Sequence, residues 1–353
     1  MGERGCDYGT PAVPGGQSYS DANGNCGSCE KVVWVAPDVL PLHCMNLLAL
    51  FLRAGPRVRS LGLALVVAWL PGFAAEPEPR PLLALCAAYP PEISALQQEF
   101  GVSEANGFKS TSINGLTYWR GRYGRHDIVV FRTGVSLVNA AYQLQQALDR
   151  FPITAVLFAG VAGGTDPALH IGDVVIPEQW AYHAESAYLN PDGKGGYLRP
   201  DYFKATYENF GMIFPNDVTA IREGESEFVR MPVFPADPAL LAAARRAVVR
   251  LPAQRKAGRD ISVSVGGTGV AGAVFLDNAP YREWIFRVWQ ARCTDMESTA
   301  LAHVAWANRK PILIVRGLSD LAGGQHGANP IDDNEASVSA IAARVLRQVV
   351  DEL

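Results

Sequence analysis

The sequence predicts an α/β protein built as a layered sandwich, with one sheet carrying helices on both faces. Two observations lead there. From residue 82 to the end, apolar runs of strand length alternate with segments of helical period, the pattern of a sheet covered on both sides. Between two such units, residues 110–134 carry turn dipeptides at Asn114-Gly115 and Gly124-Arg125 and read as a β-meander. At 353 residues, 48% hydrophobic and 19% charged, the chain can build one large core. A net charge of −4 lacks the basic surplus that phosphate backbones demand, which argues against a nucleic-acid partner and for a small ligand.

Taken in order, residues 82–88 (LLALCAA) are a buried-strand run, and 91–100 (PEISALQQEF) have helical spacing with proline at the opening. After the meander, 136–151 form an amphipathic helix and 154–160 (TAVLFAG) a fully apolar strand. Residues 173–183 (DVVIPEQWAYH) read as one strand. Asp237 and Pro238 open a helix that runs to 251, and 260–267 (DISVSVGG) read as the next strand. A helix over 279–289, a short strand at 291–296, a helix at 298–309, a strand at 311–320 and a closing helix from 333 complete the pattern. Residues 184–232, rich in Tyr, Pro, Asn and Gly, have the least periodicity and read as a long functional insertion.

The beginning of the chain reads differently. Residues 1–44 lack periodicity and hold Cys6, Cys26, Cys29 and Cys44, and are expected to be a disordered leader or the product of a misplaced start. From Met45, Arg53, Arg57 and Arg59 precede the apolar run 61–70, and small residues follow near Ala74 and Ala75. That is the layout of a secretory signal peptide over 45–75, whose apolar run is short for a membrane span. It implies a secreted or periplasmic mature chain, 76–353, with no stable membrane span after processing. Cys86 and Cys293 sit in apolar strands and are expected to be free buried thiols.

In sheets of this kind ligands collect at the carboxyl ends of the strands. Those ends hold Glu92, the glycine-rich turn 160–164, the segment 266–272, Asp295-Met296-Glu297, and Ser319-Asp320. Singly, each acid has a plain structural use, as a helix-dipole partner, a cap or a solvated helix entrance. Their convergence on one sheet edge is what those uses leave unexplained. Residues 267–272 match G-x-G-x-x-G, but the helix that a dinucleotide site needs starts too late. His183-Ala-Glu185 lacks the cysteine pair of a zinc deaminase, and His303 reads as a core residue. No metal or cofactor is expected.

The segments FAGVAGGTDPALHIGDVVIP, TDMESTALAHVAWANRKPILIVRGLSD and EISALQ resemble the nucleoside phosphorylase superfamily, above all its methylthioadenosine/S-adenosylhomocysteine nucleosidases and the plant bark-storage relatives. The likeness covers about residues 82–352. It implies a three-layer sandwich with a central mixed sheet. It further implies that Glu297 accepts hydrogen bonds from the ribose hydroxyls, that Met296 packs on the sugar, and that Asp320 protonates or hydrogen-bonds purine N7. Glu92 activates the attacking water, Phe275 stacks on the base, Ser319 contacts substrate, and Val161 stands where a serine often contacts the nucleophile. The implied reaction is cleavage of a purine nucleoside N-glycosidic bond, with water or phosphate as co-substrate and a homo-oligomer as the working form. Arginines usual in the phosphorylases are missing and Arg132 has no supporting partner, so hydrolysis is favoured. Phosphorolysis, or nucleoside binding and storage without turnover, are the alternatives.

Overall fold

The computed structural model describes residues 80–353; the expectations for residues 1–75 lie outside the described residues. The chain opens with β1 (Leu82–Ala87) and α1 (Pro90–Glu99), then the meander β2 (Lys109–Ile113), β3 (Leu116–Tyr123) and β4 (His126–Arg132), then α2 (Leu137–Arg150). Next come β5 (Ile153–Gly164), β6 (Val174–Ile176) and β7 (Gln179–Tyr182). Two small hairpins follow, β8 (Ser186–Tyr188) with β9 (Ile213–Pro215) and β10 (Val218–Ala220) with β11 (Val229–Met231). Edge strand β12 (Phe234–Pro235) leads into α3 (Pro238–Arg250), and β13 (Arg255–Lys256) pairs with β14 (Arg259–Asp260). The chain finishes with β15 (Val263–Val265), β16 (Thr268–Ala271), α4 (Ala279–Trp289), β17 (Ala291–Asp295), α5 (Ser298–Ala307), β18 (Ile312–Asp320) and α6 (Ile331–Asp351).

The sheet is mixed, and its main path runs β12-β7-β16-β17-β5-β1-β4-β3-β2, with β18, β6 and β15 branching from β5. β1 is parallel to both β4 and β5, and β18 is parallel to β5, whereas β17 meets β5 antiparallel. Side-chain alternation divides the core into two layers. Cys86, Phe158 and Ile314 face α2 and α5, while Leu85, Leu157 and Leu313 face α1, α3 and α6. A third cluster packs Trp284 and Ile285 of α4 against β7, β16 and β17. This is the expected three-layer arrangement. Asp237 caps α3 as expected, its Oδ1 accepting from the N–H groups of Ala239 at 2.9 Å and Leu240 at 3.0 Å. Cys86 and Cys293 are free and buried.

Three expectations need correction. Residues 160–164 are not a turn after a strand: β5 continues through them, because β18 stays paired with it from Val156 to Gly163 and β17 joins at Gly163 and Gly164. Residues 173–183 form two strands, with Pro177 and Glu178 between them, since β6 pairs with β15 and β18 and β7 pairs with β16 and β12. Likewise 260–267 is not one strand. Gly266 and Gly267, at φ +125° and +77°, turn the chain from β15 beside β6 to β16 beside β7, so most of the G-x-G-x-x-G match is itself strand.

Candidate active site

The carboxyl edge of the central strands brings the expected residues together. Glu92, Val161, Phe275, Met296, Glu297, Ser319 and Asp320 all line one cavity. Ala88, Tyr89, Val135 and Ile331 add to its wall. Among the described residues, no Lys or Arg lines it, and no group of three or more His, Cys, Asp or Glu side chains could hold a metal ion.

Each acid accepts hydrogen bonds from backbone N–H groups, some beside its own element and some from distant ones. Prolines 90 and 91 start α1, and Glu92 in its first turn folds back on the chain before it. Its Oε2 accepts from the Ala88 N–H at 2.7 Å and, more weakly, from the Tyr89 N–H at 3.4 Å. Its Oε1 accepts from the Val161 N–H at 2.7 Å. Val161 therefore serves the site through its amide as well as its side chain. At the end of β17, Asp295 Oδ1 accepts from the N–H groups of Glu297 at 3.0 Å and Ser298 at 2.9 Å, capping α5. The solvated helix entrance that was one reading of Asp295 and Glu297 is ruled out, since both are buried. Glu297 Oε1 accepts from the Ser136 N–H at 2.9 Å.

The organising group is Arg316, from the middle of β18, which is fully buried. Its Nε donates to Asp295 at 2.7 Å, its Nη2 to Glu297 at 3.1 Å and its Nη1 to Glu92 at 3.4 Å, and its guanidinium lies 4.3 Å from the Phe158 ring centroid. Burial works against this charge, but the three carboxylates outweigh it and hold the guanidinium protonated. One cation cannot neutralise three buried anions. Burial, opposed by Arg316 and reinforced by Asp295 and Glu92, pushes Glu297 up to about 7. Burial also raises Glu92, against the pull of Arg316 and the three amides. Gly160 leaves the space for this arrangement: a Cβ there would lie 2.1 Å from both Arg316 Nη1 and Glu92 Oε1.

Asp320 ends β18 on the other side of the cavity. Its Oδ1 accepts from the Ala322 N–H at 2.8 Å and its Oδ2 from the Ser319 hydroxyl at 2.9 Å. Burial raises its pKa, with those two bonds pulling the other way. Phe275 stands at the cavity mouth and is 56% exposed. The two histidines weighed in the sequence lie outside this cavity: His303 stacks on Phe234 with centroids 4.4 Å apart, and buried His183 faces Tyr281.

Sequence reasoning gave neither Arg316 nor Ser136 a role. A signal existed for the first, because an arginine inside the apolar run ILIVRGL must find buried anionic partners. Ser136 has φ +85° and ψ +154°, a region that glycine normally occupies, and nothing in the sequence marks that.

Comparison with known proteins identifies the family. The family model described as phosphorylase superfamily matches residues 83–353. The 5′-methylthioadenosine/S-adenosylhomocysteine nucleosidase of Geobacillus kaustophilus is 28% identical, over 67% of this chain and 86% of that protein. The enzyme of the same name from a Marinomonas species is 30% identical, over 65% and 85%. Among solved structures, the Helicobacter pylori 5′-methylthioadenosine/S-adenosylhomocysteine nucleosidase superposes with a TM-score of 0.58 at 21% identity, covering 78% of this chain and 100% of that one. Futalosine hydrolase of Helicobacter pylori also gives 0.58, at 20% identity, covering 77% and 97%.

Proposed function

The chain belongs to the phosphorylase superfamily, and from that membership we propose that it hydrolyses the N-glycosidic bond of a purine nucleoside, as a nucleosidase of the methylthioadenosine/S-adenosylhomocysteine type. The observation that carries this reading is that Glu92, Glu297 and Asp320 line the same cavity. Breaking the bond leaves positive charge on the sugar, so the site must protonate the departing base, stabilise an oxocarbenium-like ring and deliver a nucleophile to C1′.

Asp320, with its raised pKa, donates a proton to N7 so that the base leaves neutral. Glu92 takes the proton of the attacking water as its oxygen bonds to C1′. The long contact from Tyr89 leaves Oε2 free to accept from that water. Glu297 receives one bond on each oxygen from the protein, and the remaining lone pairs accept from the 2′- and 3′-hydroxyls. Met296 offers a polarizable, uncharged face to the sugar, and Phe275 covers the base. Water is favoured over phosphate because no Lys or Arg among the described residues lines the cavity to take up a dianion.

The test is incubation of the purified protein with adenosine, inosine and methylthioadenosine, with and without phosphate. Free base in phosphate-free buffer supports the reading. Release only with phosphate selects phosphorolysis, and tight nucleoside binding without product leaves a storage or binding protein.

The proposal extends to location and assembly. The signal-like sequence at 45–75 supports export, and an N-terminus of the exported protein near residue 76 is the expected result of sequencing. Val138 at 79% exposure, with Val135 and Phe275 beside the cavity mouth, supports a homo-oligomer that covers this rim. Light scattering showing a monomer at micromolar concentration argues against it.

A further inference from the structure

Two loops wall the catalytic cavity at the end where Asp320 stands. The segment 272–278, between β16 and α4, lines it with Val274, Phe275 and Leu276, and the segment 321–330, between β18 and α6, follows Asp320 directly. The two meet at Asp277, whose Oδ1 accepts from Gln325 Nε2 at 2.7 Å and from Asn329 Nδ2 at 3.0 Å. Backbone joins them as well: the Asn278 N–H donates to the Ala322 carbonyl at 3.1 Å. The approach is so close that a Cβ on Gly323, at φ +91°, would lie 2.3 Å from the Asn278 nitrogen. Helix capping does not account for Asp277, because Asn278 caps α4 by accepting from the Tyr281 N–H at 3.0 Å.

The contact reaches the acid through Gln325. Its Oε1 accepts from the N–H groups of Leu321 at 3.1 Å and Gly323 at 3.2 Å, while its Nε2 donates to Asp277. Those two amides flank Ala322, whose N–H donates to Asp320 Oδ1 at 2.8 Å. One chain of bonds therefore runs from the loop that carries Phe275 to the carboxyl group of Asp320. Asn329 fastens the far end of the second loop, its Oδ1 accepting from the N–H of Ile331 at 3.0 Å, and Ile331 lines the cavity.

We propose that Asp277 is a positioning residue: it ties the loop that carries Phe275 to the loop that follows Asp320, so that the cover over the base and the proton donor to it are set together. This rests on the nucleosidase reading, in which the base lies between Phe275 and Asp320. Asp277 is not among the residues that line the cavity, so it acts through its two neighbours rather than on the substrate. Both bonds it accepts are made to a carboxylate, the stronger kind.

The experiment measures kcat and KM for methylthioadenosine in phosphate-free buffer, using wild type, Asp277→Ala, Asp277→Asn, Gln325→Ala and the double variant of Asp277→Ala with Gln325→Ala. Thermal unfolding confirms that each is folded at the assay temperature. Asp277→Ala is expected to raise KM and lower kcat, each by at least about fivefold. Asp277→Asn keeps an oxygen for both amides and is expected to recover most of both losses. The double variant is expected to fall well short of the product of the two single losses, because both substitutions break the same bond. Constants for Asp277→Ala within about twofold of wild type overturn the proposal. So does a change in KM alone, which would leave Asp320 untouched, and so do losses that Asp277→Asn does not recover or that multiply in the double variant. If wild type releases no base, the nucleosidase reading fails and this role falls with it; turnover by wild type that Asp277→Ala matches removes the role alone.

Discussion

Glu297 and Asp320 sit in one cavity with different partners, and the difference sets what their removal does. Asp320→Asn keeps the shape and the Ser319 contact but has no proton to give, so kcat is expected to fall by about 10²- to 10⁴-fold with little change in KM. Glu297→Gln keeps one acceptor for the ribose and is expected to raise KM as well as lower kcat. Steady-state base release separates the two. Gly160→Ala is the sharpest steric test, because the new Cβ falls 2.1 Å from Arg316 and Glu92. It is expected to abolish activity and destabilise by about 1–3 kcal/mol, measured by denaturant unfolding, while touching no substrate. At this scale the sequence was legible for Glu92, Glu297 and Asp320, and it held a signal at Arg316, a charge interrupting an apolar strand, to which the sequence reading gave no role. It was opaque at Ser136, whose role comes from a backbone angle that the side chain does nothing to announce.

The elements carry the site by their ends: the first turn of α1 presents Glu92, the β17–α5 junction presents Asp295 and Glu297, and the end of β18 presents Asp320. The entry to α2 is the strained one. Ser136 is held at φ +85° and ψ +154° so that its N–H reaches Glu297. Ser136→Gly is expected to stabilise the protein by about 1 kcal/mol in thermal or denaturant unfolding, and to leave the Glu297 contact in place. A loss of stability contradicts that account. Most elements were readable because hydrophobic period tracks burial on this sheet. The breaks at Pro177 and at Gly266-Gly267 were not, because each marks where a strand changes partners, and partner choice is a property of distant segments.

Across the whole molecule, the three-layer core supports a buried cluster with more negative than positive charge, and that imbalance couples folding to protons. Glu297 rises from its ordinary 4.5 to about 7 on folding. Between those values the folded protein holds a proton that the unfolded chain has released, so the stabilisation is complete below about 4.5 and is lost as pH rises through about 7. Glu92 and Asp320, also raised, act in the same sense. Thermal unfolding measured from pH 4.5 to pH 8 is expected to show a falling midpoint that Glu297→Gln flattens. A midpoint that rises over this range contradicts the charge assignment. The central claim, that Glu92 activates water against a nucleoside held by the other two acids, is met most directly by assaying wild type and Glu92→Gln side by side on methylthioadenosine in phosphate-free buffer. The account predicts equal amounts of free base and free sugar from wild type, and a kcat lower by about 10²-fold or more in the variant at similar KM. A variant as fast as wild type, or a wild type that is silent until phosphate is added, would contradict it.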